Sequence, residues 1–158
     1  MMTKARKKIA SFFVAAALLF PMCVASVSAA NTTDINWTMT SSSTDFKYLG
    51  ACRAKQDSSA VFFKMKTSVT SNKVDVKVLG TNAYSVTSWD QVLNCTVKSG
   101  IARNYAKCTK GLNYSLHNTV YEDYFPRVTI AMTTVKNEYI TGVWSADSSG
   151  TWNEATYY

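Results

Sequence analysis

The chain has 158 residues, with 17 Lys and Arg against ten Asp and Glu, a formal charge of +7, four cysteines and one histidine. That length suits one domain with one modest core. A lone histidine and the absence of any Cys-x-x-Cys pair leave little material for a metal site or for histidine-dependent catalysis.

Residues 1–30 read as a cleavable signal peptide that precedes the fold. Lys4, Arg6, Lys7 and Lys8 form a basic start, and Ile9 to Val27 is almost wholly apolar. Val27-Ser28-Ala29 and Ser28-Ala29-Ala30 both place small residues where a signal peptidase reads. The apolar run approaches the length of a membrane span, but Pro21 and the small-residue exit argue against a retained anchor. Cys23 follows Met22, which is too large for a lipidation site. Four of the 17 basic residues lie in this leader, leaving 13 against ten acidic ones, a balance of +3. The high charge thus belongs largely to the leader, and no nucleic-acid partner follows from it.

The remaining chain, 31–158, opens on a polar stretch, Asn31 to Asp34, expected to fray. Ile35 to Thr40 alternates, with Trp37 and Met39 on Ile35's face, the period of a half-buried strand. Ser41 to Asp45 is a loop, Phe46 to Cys52 a short strand, and Arg53 to Ser59 a polar turn. Ala60 to Thr67 is a strand with Val61, Phe63 and Met65 on one face and Lys64 and Lys66 on the other. Ser68 to Asn72 has the length of a hairpin link. Lys73 to Gly80 puts Val74, Val76 and Val78 on one face and Lys73, Asp75 and Lys77 on the other. These two strands are expected to form a hairpin.

Tyr84 to Val86 and Gln91 to Lys98, which carries Cys95, read as less regular strands. Ser99-Gly100 is a turn, Lys107 to Gly111 a loop, and Leu112 to Leu116 a strand. Asn118 to Pro126 leaves room for a helical turn. Arg127 to Thr133 alternates again, with Val128, Ile130 and Met132 together. Val135 to Ser145 is the closing strand that completes a sheet. Gly142 at its middle points to a bulge or a close backbone approach. Asp147 to Gly150 turns the chain, and Thr151 to Tyr158 is a tail or a last edge strand. No stretch sustains a 3.6-residue period, no repeat recurs and no linker divides the chain. The expectation is an all-β domain: a single antiparallel β-sandwich or a partly open barrel.

Cys52, Cys95 and Cys108 follow the leader, and an exported chain permits one bridge among three thiols. Cys95–Cys108 is the most local pair, and its loop would stabilise by about 3 kcal/mol. Cys52–Cys95 and Cys52–Cys108 are the alternatives, because sequence does not fix connectivity.

Two stretches carry a resemblance. Arg53-Ala54-Lys55-Gln56-Asp57-Ser58-Ser59 stands before the strand Val61 to Lys66, and Gly142-Val143-Trp144-Ser145-Ala146-Asp147-Ser148 stands near the end. Together they resemble small secreted all-β proteins of Gram-positive bacteria with a G-x-W-S-x-D-S motif, in which the position of Ala146 is often proline. The resemblance implies export and a β fold, and it implies no activity and no functional residue.

His117 has no Gly-x-Ser-x-Gly elbow or other nucleophile motif to serve. Asp90, Glu122, Asp123, Asp147 and Glu154 are the carboxylates a glycosidase pair would draw on, and no spacing selects two of them. Asp147-Ser148-Ser149-Gly150 has too few carboxylates for a calcium loop. Neither a catalytic site, nor a metal, nor a cofactor is expected. Four Asn-x-Ser/Thr sequons, at Asn31, Asn36, Asn94 and Asn113, are close to the number chance supplies. All four tryptophans and nine tyrosines follow the leader. Trp89, Trp152, Tyr157 and Tyr158 fall in or near loops and the tail, where rings can stack on sugars. The first expectation is therefore a non-enzymatic secreted module that binds cell-wall glycan or another surface component. The alternative is a secreted antimicrobial or membrane-active effector, drawn from Lys64, Lys66, Lys73 and Lys77 on solvent faces.

Overall fold

In the computed structural model the described residues are 31–40, 43–68, 72–133 and 137–158. The expected leader, residues 1–30 with Cys23, lies outside them, as do parts of the links at 41–42, 69–71 and 134–136. Up to residue 98 the chain supplies β1 (Ile35–Thr40), β2 (Lys47–Tyr48), β3 (Arg53–Ala54), β4 (Val61–Thr67), β5 (Lys73–Thr81), β6 (Leu93–Asn94) and β7 (Val97–Lys98). Beyond it come β8 (Ile101–Ala102), β9 (Ala106–Thr109), β10 (Tyr114–Leu116), β11 (Arg127–Met132), β12 (Tyr139–Ser145), β13 (Asn153–Glu154) and β14 (Thr156–Tyr157).

The strands form a sandwich. One sheet runs β1-β12-β4-β10-β13, and the other runs β14-β9-β5-β11-β2, with β3 also on β11 and β6 on β5. β7 and β8 make a small hairpin of their own around Ser99 and Gly100, both at positive φ (52° and 76°), as a tight two-residue hairpin turn demands. All ladders are antiparallel except β10–β13.

Alternation in the strands builds the core. Trp37, Phe63, Met65, Leu116, Ile140 and Trp144 from the first sheet meet Val74, Val76, Val78, Val128, Ile130 and Met132 from the second. Fully burying one such side chain is worth about 2 kcal/mol. The closing strand completes the first sheet from within rather than at its edge: β12 lies between β1 and β4. Gly142 fits both readings offered for it. The β12–β4 register shifts there, with Thr141 opposite Thr67 and Gly142 opposite Met65, so Lys66 is passed over. A Cβ on Gly142 would lie 2.2 Å from the Lys64 carbonyl oxygen and 2.4 Å from the Trp37 ring.

Several expectations are corrected. β4 and β5 are not a hairpin, since they belong to different sheets, each with both edges taken by distant strands. Their alternation fixed which face is buried and was silent on partners. Arg53-Ala54 is a strand paired with β11 rather than a turn. Lys107 to Thr109 is strand rather than loop, with Cys108 facing the core. Its inward residues are only Ala106 and Cys108, too small to give a strong apolar signal. Gln91 to Lys98 follows a 3-10 turn at Trp89–Gln91 and is split into β6 and β7, and between them Thr96 accepts the Val78 N–H on its hydroxyl (2.9 Å).

The stretch Asn118 to Pro126 does hold one helix-like turn. Asp123 N–H donates to the Thr119 carbonyl (2.7 Å) and Phe125 N–H to the Val120 carbonyl (3.0 Å). Tyr124 ends it at φ 61°, where glycine is usual. The tail is ordered on both sheets: β13 edges the first, β14 edges the second, and Ala155 between them is buried.

Candidate ligand-binding groove

The two stretches that carry the family resemblance meet in space. Asp147 closes the second and is fully buried, and its Oδ1 accepts from the equally buried Lys55 Nζ of the first. Lys55 Nζ also donates to the Ser59 carbonyl (2.6 Å) and stands 3.6 Å from Asp57. Oδ2 of Asp147 accepts the Asn31 N–H (2.6 Å) and the Gln56 N–H (3.3 Å). A buried charge pair persists when further hydrogen bonds surround it, as those from Asn31 and Gln56 and to Ser59 do here.

Asn31 is correspondingly pinned, against the expectation of a frayed start. Its side-chain oxygen accepts from Arg53 Nη2 (2.5 Å), its side-chain NH2 donates to the Ala54 carbonyl (3.1 Å), and its own carbonyl accepts the Asp147 N–H (3.3 Å). Arg53 also donates to the Thr33 carbonyl and lies 5.9 Å from the Trp144 ring centre. Burial pushes the Arg53 guanidinium down, and Asp147 and Asp34 offset part of that push. Burial also opposes ionisation at Asp57, but hydrogen bonds from Ser59 and the charge of Lys55 together hold its carboxyl below the usual range.

This buried centre supports an open groove of about 280 Å³ lined by Thr32, Asp34, Phe62, Ser145, Ser148 and Ser149, with Trp152 at its wall. Trp152 is 41% exposed, and its ring packs 5.5 Å from that of Phe62. Its backbone N–H donates to the Ser115 hydroxyl (3.3 Å), and Gly150 lies beneath the indole, where a Cβ would come within 3.0 Å. The Ser148 N–H donates to Ser59 Oγ (3.2 Å) and the Ser145 hydroxyl to the Asp147 carbonyl (2.9 Å), which fixes the hydroxyl rim on the buried centre. An aromatic face beside hydroxyls and one carboxylate suits a polyol, with C–H groups on the ring and O–H groups on the rim.

The other sequence candidates fall elsewhere. Trp89 packs edge-on to Tyr48 (5.2 Å), and Tyr158 stacks on Tyr105 (5.2 Å). Tyr157 is partly buried, and burial pushes its hydroxyl up to about 12. Of the four aromatics singled out in sequence, only Trp152 lines this groove. A second, more apolar hollow of about 270 Å³ lies between Lys55, Tyr121, Tyr124, Phe125 and Pro126.

His117 is half exposed, with Nε2 3.9 Å from Glu154 Oε1, and Glu154 in turn pairs with Lys98. Asp90 is exposed on the 3-10 turn, Glu122 is exposed, and Asp123 accepts the Thr119 hydroxyl (2.6 Å). Asp147 points inward, so the Asp147-Ser148-Ser149-Gly150 turn does not present its carboxylate as a calcium loop would.

Cys52, Cys95 and Cys108 are free thiols, so the expected Cys95–Cys108 bridge is not made. Cys108 opposes Val74, whereas the Cys95 N–H donates to the Val78 carbonyl, four residues further along β5. That offset is about 13 Å, roughly twice the Cα separation a disulfide spans. Cys52 precedes β3, so β5 and β11 stand between it and Cys95, a separation of about 14 Å on strand spacing.

Sequence reasoning missed Asn31, Arg53 and Lys55 as parts of a site. The available signal was the charge in the two resembling stretches: Arg53, Lys55 and Asp57 in one and Asp147 in the other. No curated protein and no solved structure matches the chain. A family model, described as a protein of unknown function (DUF2712), matches residues 25–148, which include both stretches. The chain belongs to the DUF2712 family.

Proposed function

We propose that the domain is a secreted, non-enzymatic binding module that takes a glycan of the cell wall or cell surface in the Trp152 groove. The observation that carries this reading is the placing of a half-exposed indole beside Asp34, Ser148 and Ser149. The rim is held by the buried Lys55–Asp147 pair, so the groove is preorganised, which lowers the cost of ordering on binding.

Co-sedimentation of residues 31–158 with purified sacculi tests it. The expected result is retention that soluble wall glycan relieves. Trp152→Ala should weaken retention by roughly 30-fold, the equivalent of about 2 kcal/mol for an aromatic anchor. Trp89→Ala, which leaves the groove intact, should change it little. No retention, or equal retention by Trp152→Ala, would overturn the reading. The membrane-active alternative has less behind it. Lys64 and Lys66 project from the outer face of one sheet and Lys73 and Lys77 from that of the other, so the four do not combine into one basic patch.

A further inference from the structure

We infer that Asn31 is the amino terminus of the exported protein, and that its new α-ammonium, released by cleavage of the Ala30–Asn31 bond, docks on the buried carboxylate of Asp147. The inference rests on export, as the proposed function does, and is independent of the ligand.

The sequence offers two cleavage positions, after Ala29 and after Ala30. The structure distinguishes them. The backbone nitrogen of Asn31 lies 2.6 Å from Asp147 Oδ2, and the Asp147 side chain is fully buried. Asn31's carbonyl and both ends of its side-chain amide are bonded as well, so the residue is seated by all of its polar groups.

Charge gives a second, independent reason. The charged groups about this seat are Lys55 and Arg53 against Asp147, Asp57 and Asp34. Two cations face three carboxylates, a net charge of −1. An uncut chain brings only a neutral amide to this cluster. Signal-peptide hydrolysis adds water across the peptide bond: Ala30 leaves as a carboxylate, and the Asn31 nitrogen becomes an ammonium. That one charge neutralises the cluster. Cleavage after Ala29 would leave the Asn31 nitrogen an amide and put the charge one residue away, about 3.8 Å along the chain.

The consequence reaches the groove. Thr32 and Asp34 follow Asn31 directly and line it. Docking of the processed terminus therefore fixes one wall of the groove at the moment the leader is lost.

Two experiments test this. The full chain is exported with its own leader, and the terminus of the secreted product is determined by mass spectrometry. A start at Asn31 is expected, and a start at any other residue would overturn the inference. Next, 31–158 with a free Asn31 amine is compared with its Nα-acetylated form and with a form beginning at Ala30. All three keep every side chain, and the two sheets with their shared core lie within these residues.

The free Asn31 form should melt higher than the other two, by about 3 °C or more at pH 6–7. The docked ammonium should have its pKa raised from its ordinary value near 8 by about one unit or more. Its contribution is then complete below about pH 8 and lost as pH rises through the raised value. The melting gap over the acetylated form should therefore close above about pH 10. Equal melting of the free and acetylated forms at every pH would sink the docking. A pH-dependent gap supports it even where no glycan binds, which separates this inference from the proposed ligand.

Discussion

The three thiols differ in what a reagent can reach. Cys52 is partly exposed, while Cys95 and Cys108 are buried. Burial raises all three, Cys95 to about 11, and the nearby charge of Asp75 adds to the rise at Cys108. Thiolates are the reactive form, so alkylation of the folded protein at pH 8 should label Cys52 first, with Cys108 labelled only on unfolding. The same shifts set an alkaline limit. A thiol whose folded pKa is raised contributes stability fully below its ordinary value of 9.0, and that stability is lost as pH climbs to about 11 for Cys95. Tyr157 continues the loss between 10.0 and about 12. Urea midpoints at pH 8 and pH 11 check the sign, and an unchanged midpoint would contradict it. Single residues were the least legible part of the sequence. Trp152 was readable as a ring near a loop. The burial of Lys55 and Asp147 was not, because charge gives no hint of burial until its partner, 92 positions away, is known.

Strands were legible where their inward residues are large. β1, β4, β5, β11 and β12 all follow a period of two set by Trp, Phe, Met, Val and Ile. β9, with Ala106 and Cys108 inward, was read as loop, and β3 was hidden by its polar residues. Pairing was legible nowhere, as the supposed β4–β5 hairpin shows, because alternation sets a face and leaves the neighbour open. Gly142 announced a crowded backbone without naming the strand that crowds it. Gly142→Ala should destabilise the protein by about 2–3 kcal/mol, as the new methyl must displace the Lys64 carbonyl or the Trp37 ring. Denaturant unfolding measures this, and a cost below about 0.5 kcal/mol would place it with ordinary surface substitutions and remove the crowding.

The last residues hold the two layers together. β13 covers the edge of β10 and β14 the edge of β9, with Ala155 sealed between and Tyr157 packed on the core. Removal of 151–158 strips both edges at once. Open edges recruit other chains, so the truncated protein should melt lower and scatter light earlier on heating than the full domain. Identical melting and clarity would show the tail to be dispensable. Sandwich architecture was legible from many short strands alone, whereas the crossing of the chain between layers was not. That crossing bears on timing. β1 finds its ladder only on β12, which is among the last strands to be made. Until residue 145 has been made, β1 and β4 have nothing to join them. On the export proposed above, a chain arranged in this order stays pliable while it is threaded through a narrow pore, and sets hard only on the far side.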